Sequence, residues 1–95
     1  MVPKIIIPDE VRQKYIERRK KDLADCRLAL TNADFKCFAF IGHQIKGNAV
    51  TFGYDELTPI ALEMEKLAVE KNVDNLHKLL DRFEAFLRRF CQLLF

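Results

Sequence analysis

The sequence predicts an all-α fold: an antiparallel up-down-up-down four-helix bundle, one domain over residues 1–95. Three observations carry this. Apolar residues recur at three- and four-residue spacing in four successive segments. Short polar turns join those segments, so consecutive helices pack as antiparallel neighbours. Three glycines and three prolines leave too little turn-forming material for an all-β chain. A chain of this length buries only about 60% of its unfolded surface, so the core has to be compact and regular.

Residues 1–8 read as an irregular lead-in, with Pro3 and Pro8 flanking Ile5-Ile6-Ile7. Asp9 is the expected N-cap of a first helix over roughly 9–31, with Glu10 in its first turn. The stripe of that helix is Val11, Tyr15, Ile16, Leu23, Cys26 and Leu30, interrupted by Arg18-Arg19-Lys20-Lys21, which reads as a solvated face. Thr31-Asn32-Ala33-Asp34 makes a turn, and Asp34 is placed to cap a second helix from Phe35. Phe38, Ile41, Ile45, Ala49 and Phe52 extend that helix to Gly53, the expected stop. Asp55 starts the third helix, with Pro59 in or near its first turn and Leu57, Ile60, Ala61, Met64, Leu67 and Ala68 as its stripe. After Asn72-Val73-Asp74, a fourth helix opens at Asp74 and runs to the C-terminus through Leu76, Leu79, Leu80, Phe83, Phe86, Leu87, Phe90 and Leu94.

Charge and cysteine usage narrow the function classes. Sixteen Lys and Arg against 14 Asp and Glu give a net charge of +2, without the basic stripe of a nucleic-acid module. No uncharged apolar run approaches the length of a membrane span, and Ile5–Ile7 is too short for a signal-peptide core. Cys26, Cys37 and Cys91 lack CxxC spacing and fit buried thiols in a reducing compartment. The expectation is a cytoplasmic chain with no nucleic-acid or membrane partner and no metal of its own.

The local rules are broken in one place. Glycine inside a helix costs about 1 kcal/mol relative to Ala, yet Gly42 and Gly47 both fall within the second helix and bracket His43. At 100° per residue His43 points away from the line of Phe38, Ile41 and Ile45, and Lys46, Gly47 and Val50 follow on its own face. An imidazole, an adjacent cation and a missing side chain suit a ring that another macromolecule must approach and that carries an anionic group. His77 shares its face with Asp81, Glu84 and Arg88 and reads as solvated. His43 and Glu65 are equidistant in sequence from Tyr54, so an antiparallel hairpin brings them to one height. A carboxylate there can accept Nδ1–H and leave the Nε2 lone pair exposed. Glu63 is the alternative if the third helix is rotated.

The run His43-Gln44-Ile45-Lys46-Gly47-Asn48-Ala49-Val50-Thr51-Phe52-Gly53-Tyr54 resembles the H-x-[LI]-K-G-x-A-x-x-[FLY]-G segment of histidine-containing phosphotransfer (HPt) domains. It is similar both to small free-standing HPt proteins and to the phosphotransfer domain of chemotaxis-type histidine kinases. The similarity covers nearly the whole chain, including Glu17 to Leu23, Leu30 through Phe35, and the Glu65 and Ala68 pair. Three positions depart from the pattern. Gly42 stands where Ala is frequent, Asn48 is larger than the usual Ser, Gly or Thr, and Leu62 occupies the place of a second histidine found in some chemotaxis-type members.

The resemblance implies that His43 is the phosphorylated nucleophile, Lys46 the phosphoryl-neutralising cation, Gly47 the clearance for a partner, and Glu65 the imidazole orienter. It implies a phosphocarrier rather than an enzyme, and the sequence has no GxxxxGK[ST] loop. The partners would be a response-regulator receiver domain, which brings its aspartate and Mg²⁺, and a histidine or hybrid kinase. Ala39, Phe40 and Val50 are the candidate apolar docking contacts, and a monomer is expected. Two other readings share the fold: a phosphate-independent module that docks a receiver or kinase, and a homo-oligomerisation domain if the fourth helix exposes its stripe.

Overall fold

A computed structural model describes residues 7–90. They form four helices: α1 (Asp9–Thr31), α2 (Phe35–Asn48), α3 (Leu57–Glu70) and α4 (Val73–Arg88). Each helix packs on its neighbours in sequence, and α1 also packs on α4, which closes a ring without diagonal contacts. Short loops and this ring give the antiparallel up-down-up-down bundle. Among the described residues no helix is long and apolar enough to cross a membrane.

The core follows the helical stripes except at two outer ends, where Val11 of α1 and Phe90 just past α4 are exposed. Ile16, Leu23 and Cys26 from α1 meet Phe38, Ile41 and Ile45 from α2, Leu57, Ala61 and Met64 from α3, and Leu76, Leu80, Phe83 and Leu87 from α4. The apolar stripe of α4 is spent inside the molecule, with Leu76, Leu79, Leu80, Phe83, Phe86 and Leu87 all buried. Burial pushes the Cys26 thiol well up from its ordinary value, as suits an inert core residue. Polar pairs tie the rim: Arg27 of α1 to Glu84 of α4 at 3.1 Å, and Arg82 of α4 to Glu63 of α3 at 2.9 Å.

Helix ends differ from the sequence expectations in five places, one of them the end of α4, which stops at Arg88 and does not continue through Phe90. The N-cap of α1 is Pro8, and Asp9 is the first helical residue. An acidic residue there still complements the helix dipole, although no side chain caps the helix. The second helix stops at Asn48 and not at Phe52. Beyond it Gly53 N–H donates to Val50 O and Tyr54 N–H to Ala49 O, with Gly53 at φ +85°. Ala49 stays in the core, whereas Phe52 is only half-buried and stacks on the Tyr15 ring at 4.3 Å. Leu57, not Asp55, begins α3, and Pro59 falls in its first turn, where a missing N–H costs nothing. Asn72, not Asp74, caps α4, its side chain accepting from Asn75 N–H at 3.2 Å. Asp34 caps α2 by accepting from Cys37 N–H. The expectations on residues 1–6 and on Cys91 and Leu94 lie outside the described residues.

Candidate functional site

Burial of Phe38, Ile41 and Ile45 fixes the rotation of α2, and that rotation turns His43 outward to solvent. Among the described residues no hydrogen bond or ion pair engages its ring. Phe40 and Val50 are exposed to more than half their surface, at 65% and 62%, and flank His43 along the chain, with Ala39 half-buried beside Phe40. Val50 sits in the turn after α2 rather than on the helix.

The two helical glycines have different causes. A Cβ at position 42 would lie 2.8 Å from Ala61 O and 3.1 Å from Met64 Cβ. Gly42 therefore lets α2 and α3 approach closely, a structural gain that the sequence did not reveal. A Cβ at Gly47 would meet nothing within 4 Å. Among the described residues no packing requires that glycine, and the space above it is open.

The close approach at Gly42 brings Glu65 of α3 against α2, where its Cγ would be 3.2 Å from an added Cβ at 42. Glu65 does not bond the imidazole here. Its carboxylate is paired with Lys46, whose Nζ lies 3.1 Å from Oε1 and donates to Oε2 at 3.4 Å. The shorter contact is an ion pair at an angle unsuited to a hydrogen bond, and buried Oε1 has no directed donor. Glu63 faces the opposite way and pairs with Arg82 of α4. Of the two glutamates, Glu65 is the one on the α2 side. His77 is exposed on α4.

On the other side of α2, His43 shares an open cleft of about 560 Å³ with Arg18, Arg19, Gln44, Gly47 and Asn48. Here the basic run of α1 departs from a solvated face. Arg19 is buried among the core residues, its Nε 2.7 Å from Asp22 and its guanidinium 4.7 Å from the centre of the Tyr15 ring. Burial pushes the Asp22 carboxyl up, and the Arg19 charge partly offsets this. Tyr15 OH donates to Asn48 Oδ1 at 2.6 Å, and Arg19 Nη1 approaches the same oxygen at 3.5 Å. The large residue at 48 thus ties the last turn of α2 to α1. Helical spacing held a signal for Arg19, since it falls between Ile16 and Leu23 on the buried stripe. Nothing in the sequence marked Arg18 as a neighbour of His43.

A second cleft of about 570 Å³, between the start of α1 and the end of α4, is lined by Arg12, Gly53, Asp55 and Phe86 among others. Among the described residues it is lined by no histidine or cysteine and shares no residue with the His43 cleft. Among the described residues no group of three His, Cys, Asp or Glu side chains could hold a metal ion.

What the arrangement offers is a solvent-facing imidazole between two sources of positive charge, with open space one turn along the helix. Residues 10–93 match the family model of the Hpt domain. No curated protein and no solved structure matches the chain.

Proposed function

The chain belongs to the Hpt domain family, whose members carry phosphoryl groups on histidine in phosphorelays and meet receiver domains and kinases there, and on that basis we propose that it is a cytoplasmic phosphocarrier that takes a phosphoryl group on His43. The observation that carries this reading is the exposed, unbonded His43 ring beside the Lys46–Glu65 pair and the empty space over Gly47. Phosphoryl transfer is mainly positioning and charge stabilisation, and a bundle with one such histidine supplies both.

In the proposed step the Nε2 lone pair of His43 attacks the phosphorus of a receiver's aspartyl phosphate. The phosphorus–oxygen bond breaks, and its electron pair leaves with the receiver's carboxylate. The Nδ1 proton remains on the ring. The Glu65 carboxylate, on the α2 side of α3 and held by Lys46 in the unphosphorylated chain, is the acceptor for Nδ1–H, and this would hold the tautomer that exposes Nε2. As phosphate arrives, the Lys46 ammonium turns from Glu65 to the phosphoryl oxygens. Gly47 leaves room for the receiver's active site, and Ala39, Phe40 and Val50 form the apolar rim on which it docks. The reverse of the same step passes the group to a second receiver. Mg²⁺ would be held by the receiver and would supply charge screening of the transferring phosphoryl group.

The test is incubation with a phosphorylated receiver and Mg²⁺. Wild-type protein should gain an acid-labile, base-stable phosphoryl group, and His43→Gln should gain none. Transfer that persisted in His43→Gln, for instance onto His77, would overturn the assignment.

A further inference from the structure

The geometry points to Arg18 of α1 as a second phosphoryl-binding cation of the His43 site, an inference that rests on the phosphocarrier reading above. A phosphoryl group on Nε2 brings two negative charges to the exposed side of α2. Lys46 carries a single positive charge and approaches only from the α3 side, where it pairs with Glu65 before phosphate arrives, so it leaves one of the two negative charges without a cation. The α1 side of the ring opens into the cleft that Arg18 and Arg19 line with His43, Gln44, Gly47 and Asn48.

The two arginines in that cleft differ in what they can give. Arg19 is buried and committed to Asp22, Tyr15 and Asn48. Arg18 has 62% of its side chain exposed, and its ion pair is a single 3.9 Å contact from Nε to Asp22. Arg19 holds that same Asp22 at 2.7 Å, so the aspartate's charge is already engaged. The terminal NH₂ groups of Arg18 are therefore available to a second anion. A planar guanidinium can present two parallel N–H donors to two phosphoryl oxygens, a geometry an ammonium lacks. The open space over Gly47 leaves no Cβ between α1 and the ring.

Arg18 binds the transferred group from α1 while Lys46 binds it from the α3 side, and the phosphoryl group lies between them. The covalent step is the one already written, with no added proton or leaving group. Loss of one charged hydrogen-bond donor should slow formation of phosphohistidine about tenfold.

Two donors separate the possible roles of Arg18. Phosphoramidate phosphorylates histidine chemically and needs no protein docking, whereas a phosphorylated receiver must dock. Wild type, Arg18→Ala, Arg18→Lys and, as a control on the far side of α3, Arg82→Ala are treated with each donor. The expected results for Arg18→Ala are a displaced ³¹P resonance of the phosphohistidine made with phosphoramidate and about tenfold slower transfer from the receiver. Arg18→Lys should fall between Ala and wild type, and Arg82→Ala should match wild type in both measurements. An unchanged ³¹P resonance and rate in Arg18→Ala would overturn the inference. So would slower receiver transfer with an unchanged resonance, because Arg18 would then touch the receiver and not the phosphoryl group. Failure of wild type to take phosphate from either donor would instead refute the phosphocarrier reading.

Discussion

In the proposed phosphocarrier, His43, Lys46 and Glu65 form a site in which one ion pair is exchanged for another. In the unphosphorylated chain Lys46 and Glu65 neutralise each other across the α2–α3 contact. Both side chains are about a third exposed, so the pair is worth little to stability. Its value lies in being easily broken when a doubly charged group arrives. Lys46→Ala should slow phosphoryl transfer about tenfold to a hundredfold while leaving His43 able to react, because the lysine stabilises charge and makes no bond. Glu65→Ala should slow transfer about tenfold by releasing the ring tautomer, and Glu63→Ala should leave it unchanged. Rapid-quench transfer assays read all three, and equal effects of the two glutamate substitutions would contradict the assignment of Glu65. A further residue-scale contrast concerns the open space over Gly47, where Gly47→Gln should block receiver transfer without unfolding the helix. A Gly47→Gln variant that accepted phosphate at the wild-type rate would remove the clearance argument. The outward placement of His43 and the open space at Gly47 were legible in the sequence, from helical phase and from a glycine that breaks a helical rule beside it. The Lys46–Glu65 pairing was not, since hairpin height places Glu65 beside α2 but does not choose between its two cationic or imidazole neighbours.

Helix α2 owes its placement to two opposite uses of glycine. At Gly42 an added methyl group would press on the Ala61 carbonyl of α3, and overpacking of this kind costs about 1–3 kcal/mol. That outweighs the gain of about 1 kcal/mol in helix propensity. Gly42→Ala should therefore lower stability or at best leave it level, while Gly47→Ala should raise it by up to about 1 kcal/mol. Urea titrations of the two variants check the signs. A stabilised Gly42→Ala would mean that α2 and α3 are not in close contact there. The four helices were readable from apolar spacing, because each stripe is long relative to its turns. Their ends were less so. Polar residues lie on either side of each boundary, and which of Asn72 or Asp74 becomes the cap depends on where the preceding turn closes. That turn closes at Lys71, a residue at φ +55°. The stop of α2 at Asn48 was hidden for a different reason. The apolar period continues through Ala49 and Phe52, but Asn48 is held by Tyr15 of α1 and the backbone turns there. Arg19 was hidden by its neighbours, since a run of four basic residues reads as surface even when one of them points inward.

At the scale of the whole molecule, the ring of four helix contacts leaves one broad face of α2 free for a partner. Within α4 the apolar stripe from Leu76 to Leu87 is buried in the core, so a homo-oligomerisation surface finds little of it, and Phe90 just beyond the helix is the stripe residue left exposed among the described ones. The chain should therefore run as an 11.1 kDa monomer in light scattering coupled to gel filtration, and a concentration-independent dimer would contradict this. Exposed Phe40 and Val50 suit the small interface of a transient complex. Which nitrogen receives the phosphoryl group is the question on which the account stands. The most direct measurement is ³¹P–¹⁵N correlation NMR on imidazole-labelled protein after phosphorylation by a receiver. The account predicts one phosphorus coupled to Nε2 of His43, with Nδ1 still protonated. Coupling to Nδ1 of His43, or to His77, would contradict it.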